Sequence, residues 1–597
     1  MARPAIGMAL LAAAAVASAA ATALHRWAPP PSADSARGTE DAFARGLQRR
    51  ELPPRQAPIR WTTGQATFVF EHLPKSDASL DIAVAGHREP VLVAADGVVL
   101  GVVPVGVGQA GFPLPSTGRR SRTIHLEIPV FTAGDGRQLG TRLQRVLVRS
   151  GKPGAPGIAL LVLFVAPAVV AALFARAVRI PALAAIAFAA MVTMVQAALL
   201  WPSGLVRSPY ASELAALLTA GLLTAGGFAW WIERKRAFAG GWALMAMMAA
   251  WIVQWVLATS PAMIVSDAVF HANTLARVAG GDLFPTSVTQ HSPPFRFPYG
   301  VSLYAFLAPL LRAGADGVAL VRGGAAVAGL LASAALFVAL LRPYGASAAG
   351  MAIVLLQLLP LTFDVPYSYG NLSNGFGQAA TIGFFAWWAG SGPLGWAAGA
   401  GLLAIAALAH FSSLIVAVAL AAALVIARRR QIDRGRLLAV VVGLGLAVAY
   451  YAHHMGLVTS QLPRLLDGSG TRAAESAGLF AAARNQLMGA VLGWGIASIV
   501  LAWFGRPSLS EVTSADRDLA GWWIGAGLLA LPAIVSPLEV RYLYALAPVL
   551  AIAAGRGAVA LHARGGARRL AAWALVAIQA AVGIANLATA VFARYRA

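Results

Sequence analysis

The fold of this chain is decided by residues 157–201, which read GIALLVLFVAPAVVAALFARAVRIPALAAIAFAAMVTMVQAALLW. Two apolar runs, each about the twenty residues that a helix needs to cross a bilayer, are separated only by a short segment with Arg176 and Arg179. Arginine collects on the cytoplasmic side of membrane proteins. The stretch therefore predicts two transmembrane helices, 157–177 and 180–201, joined at the cytoplasmic face.

The composition of the whole chain agrees with this interpretation. Of its 597 residues, 58% are hydrophobic and 12% are charged, which is about half the charged fraction of a soluble domain. The mean hydropathy is +0.70. These values exclude a soluble enzyme, and the 16 Trp and 24 Phe exclude a disordered chain. The absence of cysteine excludes disulfides, thiolate metal sites and cysteine nucleophiles.

The net charge is +22, from 46 basic and 24 acidic residues, and nearly all the basic residues are arginine. These arginines stand singly or in short clusters at the ends of apolar runs, as the positive-inside rule requires. The charge therefore favours membrane topology and headgroup attraction over nucleic-acid binding. We predict a multi-pass protein of the cell (inner) membrane, with the lipid bilayer and not nucleic acid as its partner.

The chain before the first of these runs divides into three parts. Residues 1–27 are Ala-rich and predict a signal peptide or a first transmembrane helix, and the late polar break at His25-Arg26 favours the anchor. Residues 28–56, rich in Pro, Arg and Ser, are typical of a linker. Residues 57–150 carry short β-branched runs separated by Asp-Gly turns. They predict an extracytoplasmic all-β domain of sandwich or jelly-roll type.

Residues 157–592 predict a polytopic α-helical membrane domain, with about fourteen or fifteen helices in the chain by the length that a bilayer requires. The run 300–311 is too short to span. It is predicted to lie along the membrane interface, because only then does the cluster Arg428-Arg429-Arg430 fall in the cytoplasm. The spans after the first pair are predicted at 212–232, 241–264, 318–341, 346–363, 376–390, 394–409, 411–427, 437–455, 486–504, 519–535, 542–560 and 570–592.

The same topology places the loop 265–299 outside the cytoplasm, on the side of the β domain. Polar and ionisable groups are costly near lipid, so those that persist there are candidates for function. Most of them fall at the external ends of the spans. They are Asp267, His271, Asp282, His291, Arg296, Asp364, Tyr367, Tyr369, Asn371, Asn374, His410, His453, His454, Glu539 and Arg541.

The external loop begins with an acidic residue and a predicted interfacial helix. Asp267 directly follows a span, and Phe270, Leu275 and Val278 then recur at roughly helical spacing. Gly280-Gly281 ends this helix.

This loop resembles the one found in the GT-C superfamily of integral-membrane glycosyltransferases. The resemblance rests on the acid after a span, the helix that leads into Gly281-Asp282-Leu283-Phe284-Pro285, and the later Pro293-Pro294 before a short apolar helix. Leu408-Ala409-His410-Phe411 and Glu539-Val540-Arg541-Tyr542 extend it over roughly residues 240–560. It implies a GT-C-like fold that transfers a sugar, with inversion, from a polyprenyl-phosphate carrier. The acceptor would be a hydroxyl on a glycan, lipid or protein at the external face of the cell envelope.

Asp267 matches the catalytic carboxylate of the superfamily, which implies that it is the general base that takes the proton of the acceptor hydroxyl. Arg541 is predicted to hold the leaving lipid phosphate with paired hydrogen bonds. His410 and His291 are predicted to contact the phosphate or the sugar. The predicted substrate-binding residues are His271, His291, Asp364, Tyr369, Asn371, His410, Glu539 and Arg541.

One departure from the superfamily concerns a second acid. Many members carry one beside the first, whereas Asp267 is flanked by Ser266 and Ala268. Asp364 or Asp282 could supply it in space. No cofactor is predicted, and this departure leaves a divalent-metal requirement and the acceptor class open.

Each assignment has a structural alternative. Asp267 could simply cap the interfacial helix, Glu539 and Arg541 could form an ion pair, and His410 could be a packed interfacial histidine. The segment Asp516-Arg517-Asp518 is interpreted as a solvated cytoplasmic loop. At the level of the whole protein, the alternatives are a transporter or flippase of lipid-linked sugars and a non-catalytic cell-envelope assembly protein.

Overall fold

The computed structural model describes residues 2–51, 59–74, 77–132, 138–151, 154–236, 241–257, 260–261, 263, 267–288, 296–368, 370–390, 395–466, 491–506, 513–535 and 543–590. It is mostly helical, at 67%. The chain forms two compact units, one made mainly of Met1–Arg234 and the other of Lys235–Thr259 with Val265–Leu587.

The first unit contains a β domain. Within the described residues, nine strands form one antiparallel sheet whose main path runs β6-β5-β8-β3-β11-β4-β7, with β1 paired to β11 and β2 to β3. The ends of this path, β6 and β7, lie against each other, so the sheet curls into a near-barrel. The strands are β1 (Ser32–Asp34), β2 (Ala44–Glu51), β3 (Ile59–Phe70), β4 (Ala78–Ala85), β5 (Val91–Ala95), β6 (Val98–Val103), β7 (Gln109–Leu114), β8 (Arg122–Glu127), β9 (Phe131–Thr132), β10 (Gln138–Leu139) and β11 (Arg142–Ser150).

The prediction of an all-β domain is confirmed, and two of its details are wrong. The domain is one curled sheet and not a two-layer sandwich. The predicted linker 28–56 contains β1 and β2, so the domain begins earlier than residue 57. Strand β2 has only β3 as a neighbour and reads Ala-Arg-Gly-Leu-Gln-Arg-Arg-Glu. Edge strands tolerate such charged sequences, which is why this one resembles a linker.

Four helices complete the first unit: α1 (Ala2–Trp27), α2 (Ile158–Ala177), α3 (Ala182–Leu200) and α4 (Tyr210–Arg236). The pair that the opening stretch predicts is present as α2 and α3, which pack against each other and against α1. The turn between α2 and α3 is held by Arg176, which donates to the carbonyl oxygen of Ile180.

The described residues of the second unit are helical apart from loops and two short strands, β12 (Thr286–Val288) and β13 (Arg296–Pro298). The predicted spans 318–341 and 346–363 meet in one helix, α8, whose backbone turns at Gly345 (φ 80°) after Pro343. Its described helices are α5 (Trp242–Trp251), α6 (Ala268–Ala279), α7 (Ser302–Arg312), α8 (Gly317–Leu358), α9 (Pro360–Phe363), α10 (Leu372–Ala389), α11 (Gly395–Ala407), α12 (Phe411–Ala427), α13 (Arg434–Ala452), α14 (Met455–Leu466), α15 (Ile496–Phe504), α16 (Ser514–Val535), α17 (Ala547–Ala563) and α18 (Gly566–Ala588). Two π-helical segments, Ile252–Leu257 and Asp364–Ser368, follow α5 and α9.

Among the described residues, seven helices are long and apolar enough to cross a membrane. This number is compatible with a multi-pass membrane protein. Helices α11, α12 and α17 stand at predicted spans but are only 13 to 17 residues long. The seven are Ile6–Trp27, Ile158–Ala177, Ala182–Leu200, Tyr210–Trp231, Gly317–Leu358, Arg434–Ala452 and Gly566–Ala588.

The interpretation of residues 516–518 as a solvated loop is wrong, because both acids lie in α16 and are buried. The Asp518 carboxylate accepts hydrogen bonds from Arg428 Nε (2.7 Å) and Trp388 Nε1 (3.2 Å). Asp516 accepts from Arg556 Nη1 at 2.7 Å. Each carboxylate is therefore neutralised by an arginine of another helix, a pairing that local sequence does not reveal.

Helices α15 and α17 are in close contact through two glycines. A Cβ at Gly557 would lie 1.8 Å from the carbonyl oxygen of Leu501, and a Cβ at Gly505 would lie 1.9 Å from that of Ala553. The two backbones can approach this closely only because neither position carries a side chain.

We expect Gly557→Ala to lower the free energy of unfolding by about 1–3 kcal/mol, the usual cost of overpacking. The matched control is Gly527→Ala in α16, where a Cβ would meet no atom within 4 Å. There alanine should stabilise by about 0.5–1 kcal/mol through helix propensity. Urea unfolding in detergent measures both variants, and equal stabilities would contradict the proposed helix contact.

Candidate functional site

Helix α6 is the predicted interfacial helix, and its bounds agree with the sequence pattern. Its buried residues recur every three or four positions: Ala268, His271, Thr274, Leu275 and Val278. The helix ends at Gly280, as predicted from the paired glycines.

Asp267 is exposed and stands at the N-cap position of α6, with φ −100° and ψ 8°. Its side chain makes no capping hydrogen bond to the helix. The carboxylate therefore caps the helix by no hydrogen bond, and the alternative that it only stabilises the start of α6 through its charge stays a prediction. The structure leaves it at the surface of the second unit, one helical turn from His271.

His271 is 1% exposed and is held from both sides. Its Nε2 lies 3.0 Å from the carbonyl oxygen of Gly370, and its Nδ1 lies 2.7 Å from the hydroxyl of Tyr304. Because a carbonyl only accepts, Nε2 carries the proton and Nδ1 accepts from Tyr304. Burial lowers the pKa of His271 to about 4, so this imidazole is neutral at pH 7.

Aromatic rings surround the histidine. The ring of Tyr299 lies 5.3 Å from that of Phe270 and 5.3 Å from that of His410.

Burial is the main cause that raises the pKa of Tyr304, and Tyr299 and the charge of Asp267 raise it further. Tyr304 therefore stays protonated and donates to His271, and its hydroxyl lies within the electrostatic reach of Asp267.

His410 is the N-cap of α12, where its Nδ1 accepts from the backbone N–H of Ser412 at 3.1 Å. The Ser412 hydroxyl in turn donates to Asn374 Oδ1 at 2.6 Å. The ring of His410 thus supports α12 and faces Tyr299, and its predicted contact with phosphate or sugar stays a prediction.

The segment between α9 and α10 joins this cluster through Gly370. Gly370 adopts φ 72°, a conformation that favours glycine, and presents its carbonyl to His271. Asn371 begins α10 without making a capping hydrogen bond. Asp364 points elsewhere, since its Oδ2 accepts from Asn586 Nδ2 at 3.0 Å.

The structure thus gathers Asp267, His271 and His410 around Tyr304 of α7 and Tyr299 of the loop before it, and Asn371 follows Gly370, which contacts His271. Sequence reasoning missed Tyr304, although its hydroxyl within the apolar run 300–311 is a signal that could have found it.

Four predicted site residues lie outside the described residues: His291, Tyr369, Glu539 and Arg541. Among the described residues, no group of three or more His, Asp or Glu side chains is arranged to hold a metal ion.

We expect the stability of the second unit to fall as the pH drops from 6.5 towards 4. In the unfolded state His271 has the ordinary His pKa of 6.5, so it binds a proton in this pH window. In the folded state its pKa is about 4, so it stays neutral until the pH falls to that value. Above pH 6.5 both states are neutral and His271 adds no pH dependence. The shift corresponds to about 3 kcal/mol across the window.

Unfolding in detergent at pH 7 and pH 4.5 measures this effect. His271→Gln should flatten the pH dependence relative to the wild type, since glutamine does not titrate. A variant with the same pH slope as the wild type would show that another group is responsible.

Comparison of the chain with protein-family models and with curated proteins finds no match.

Proposed function

We propose that the protein is a membrane glycosyltransferase of GT-C type. It moves a sugar from a polyprenyl-phosphate carrier to a hydroxyl of a glycan, lipid or protein. The reaction takes place on the external face of the cell (inner) membrane, where the β domain also lies. The observation that carries this proposal is the exposed, non-capping carboxylate of Asp267 at the start of an amphipathic helix, beside the neutral His271–Tyr304 pair.

The chemistry is a single displacement. The Asp267 carboxylate takes the proton of the acceptor hydroxyl as its oxygen attacks C1 of the sugar. The bond between C1 and the phosphate oxygen breaks, and the electron pair leaves with the lipid phosphate. The configuration at C1 is inverted because only one displacement occurs.

His271 and Tyr304 are positioning residues in this proposal. The hydrogen bond between them ties α6 to α7, and the second bond of His271 ties α6 to the segment before α10. Because both residues stay uncharged at pH 7, they fix the start of α6 without placing a cation beside the base. A cation beside the carboxylate would lower its affinity for a proton, and neither of these two residues supplies one.

The test is transfer by the wild type in reconstituted membranes. Proteoliposomes receive radiolabelled polyprenyl-phosphate sugars and a cell-envelope extract, and empty liposomes are the control. We expect label to move from the organic carrier fraction into the acceptor fraction. Label that stays with the carrier for every donor would contradict the proposal.

A second candidate, a transporter of lipid-linked sugars, is favoured by one observation. Buried polar groups meet inside the second unit, next to both π-helical segments, as broken helices do around transporter sites. Gln254 Nε2 donates to Gln357 Oε1 at 2.7 Å, and Gln357 Nε2 donates to Ser333 Oγ at 3.0 Å. The hydroxyl of Tyr367 donates to Gln254 Oε1 at 3.0 Å.

The size of this polar cluster argues against a sugar-binding site within it. Its cavity is about 20 Å³, which is room for about one water molecule. The two functions are separated by following the label in sealed proteoliposomes without acceptor. A transporter moves the intact donor to the opposite leaflet, whereas the transferase leaves it where it was added.

A further inference from the structure

A stack of aromatic rings stands just beyond the C-terminal end of α6. The ring of Phe284 lies 3.8 Å from that of His453, tilted by 25°, and 5.3 Å from that of Tyr450, tilted by 23°. His454 meets Phe284 edge-on at 5.9 Å. We name these four residues the aromatic platform.

Two members of the aromatic platform, Phe284 and His453, are exposed, whereas Tyr450 is half-buried and His454 is buried. Phe284 is 39% exposed, and its neighbour Leu283 is 55% exposed. The hydroxyl of Tyr450 donates to the carbonyl oxygen of Tyr299 at 2.8 Å, which fixes the platform to the cluster around His271. An exposed aromatic ring with rigid support is a surface prepared for a ligand.

The edge of the platform is polar. Asp282 forms an ion pair with Arg277 at 2.5 Å, and both side chains are partly exposed. His454 is 4% exposed, and its Nε2 has no hydrogen-bond partner in the described part of the chain. The platform therefore offers the exposed rings of Phe284 and His453 together with a carboxylate and a guanidinium.

We propose that the aromatic platform binds a sugar residue of the acceptor, so that the acceptor is a glycan; this rests on the proposed sugar transfer. A pyranose or furanose has an apolar face of C–H groups that stacks on an aromatic ring. Its hydroxyl edge can bond to Asp282, Arg277 and the exposed imidazole of His453. An acyl chain would desolvate the ion pair without replacing its hydrogen bonds, which is costly.

The test is saturation-transfer NMR on the full chain in detergent, with maltohexaose, a mannohexaose and an arabinohexaose as probes. We expect at least one hexasaccharide to receive saturation. Phe284→Leu, which keeps apolar volume but removes the ring face, should weaken that binding about tenfold. Phe284→Tyr should retain it. The matched control is Phe306→Leu on α7, where the phenylalanine is 58% exposed and its ring is tilted by 54° against that of Phe376 at 6.0 Å and is not stacked on it.

The outcomes separate this inference from the proposed function. No saturation of any probe, or equal binding by wild type and Phe284→Leu, overturns the platform even if sugar transfer is observed. Binding that depends on Phe284 without any transfer supports the platform as a glycan site and overturns the transferase. Loss of binding in Phe306→Leu as well would show a general effect on the fold and overturn the assignment to the platform.

Discussion

Asp267→Asn is expected to lower sugar transfer about a thousandfold while leaving the fold and the binding of donor unchanged. Asparagine has the shape of aspartate but cannot accept the proton of the acceptor hydroxyl. A positioned general base contributes about 10²–10⁴ in rate. Because the Asp267 side chain makes no capping hydrogen bond to α6, the substitution removes no hydrogen-bonded cap from that helix.

The matched control for this variant is Asp316→Asn. Asp316 is also an N-cap acid of the second unit, and its Oδ1 accepts from the backbone N–H of Ala319 at 2.7 Å. Asparagine caps a helix as well as aspartate does, so this control should retain wild-type transfer. The measurement is the initial rate in proteoliposomes at saturating donor, with thermal unfolding of each variant alongside.

Three results are distinguishable. A large loss in Asp267→Asn alone supports the assignment of the base. Equal rates in Asp267→Asn and the wild type would remove Asp267 from the chemistry. Absence of transfer by all three proteins, each with an unchanged melting temperature, would favour the non-catalytic assembly protein.

The sequence predicted best those features that depend on neighbouring residues. The bounds of α6 follow from local periodicity and from two glycines, and the pair α2 and α3 follows from two apolar runs and a break. Strand β2 was missed because its charges are acceptable only at the edge of a sheet, and its edge position depends on β3. The seven apolar helices support the membrane prediction only in part, since spans of 13 to 17 residues are too short to be recognised by length.

In the candidate site, too, only the features that depend on neighbouring residues could be predicted from the sequence. The position of Asp267 before an interfacial helix is visible in the sequence. The two hydrogen-bond partners of the nearby His271 come from other parts of the chain. Tyr304 belongs to α7, and Gly370 belongs to a segment about one hundred residues away. Contacts at such a separation depend on the packing of helices, which the spacing of polar residues does not encode.

Asp518→Asn is expected to destabilise the second unit by about 3–5 kcal/mol, the usual cost of leaving one member of a buried ion pair without its partner. The Asp518 side chain is fully buried, and that of Arg428 is 11% exposed. Asparagine keeps the shape of the side chain but leaves the largely buried Arg428 guanidinium without the carboxylate that it contacts. Urea unfolding in detergent measures the change.

Two further variants make this prediction specific. Asp433→Asn changes an acid that also forms an ion pair with an arginine, Arg436. The Asp433 side chain, however, is 53% exposed. Water screens such a pair and asparagine preserves the cap of α13, so the loss should be under about 1 kcal/mol. The double variant Arg428→Met with Asp518→Leu removes both charges and should recover most of the stability lost in Asp518→Asn. If the double variant is less stable than Asp518→Asn, the cost does not come from an unpaired charge, and the hydrogen bond from Trp388 to Asp518 becomes the better explanation.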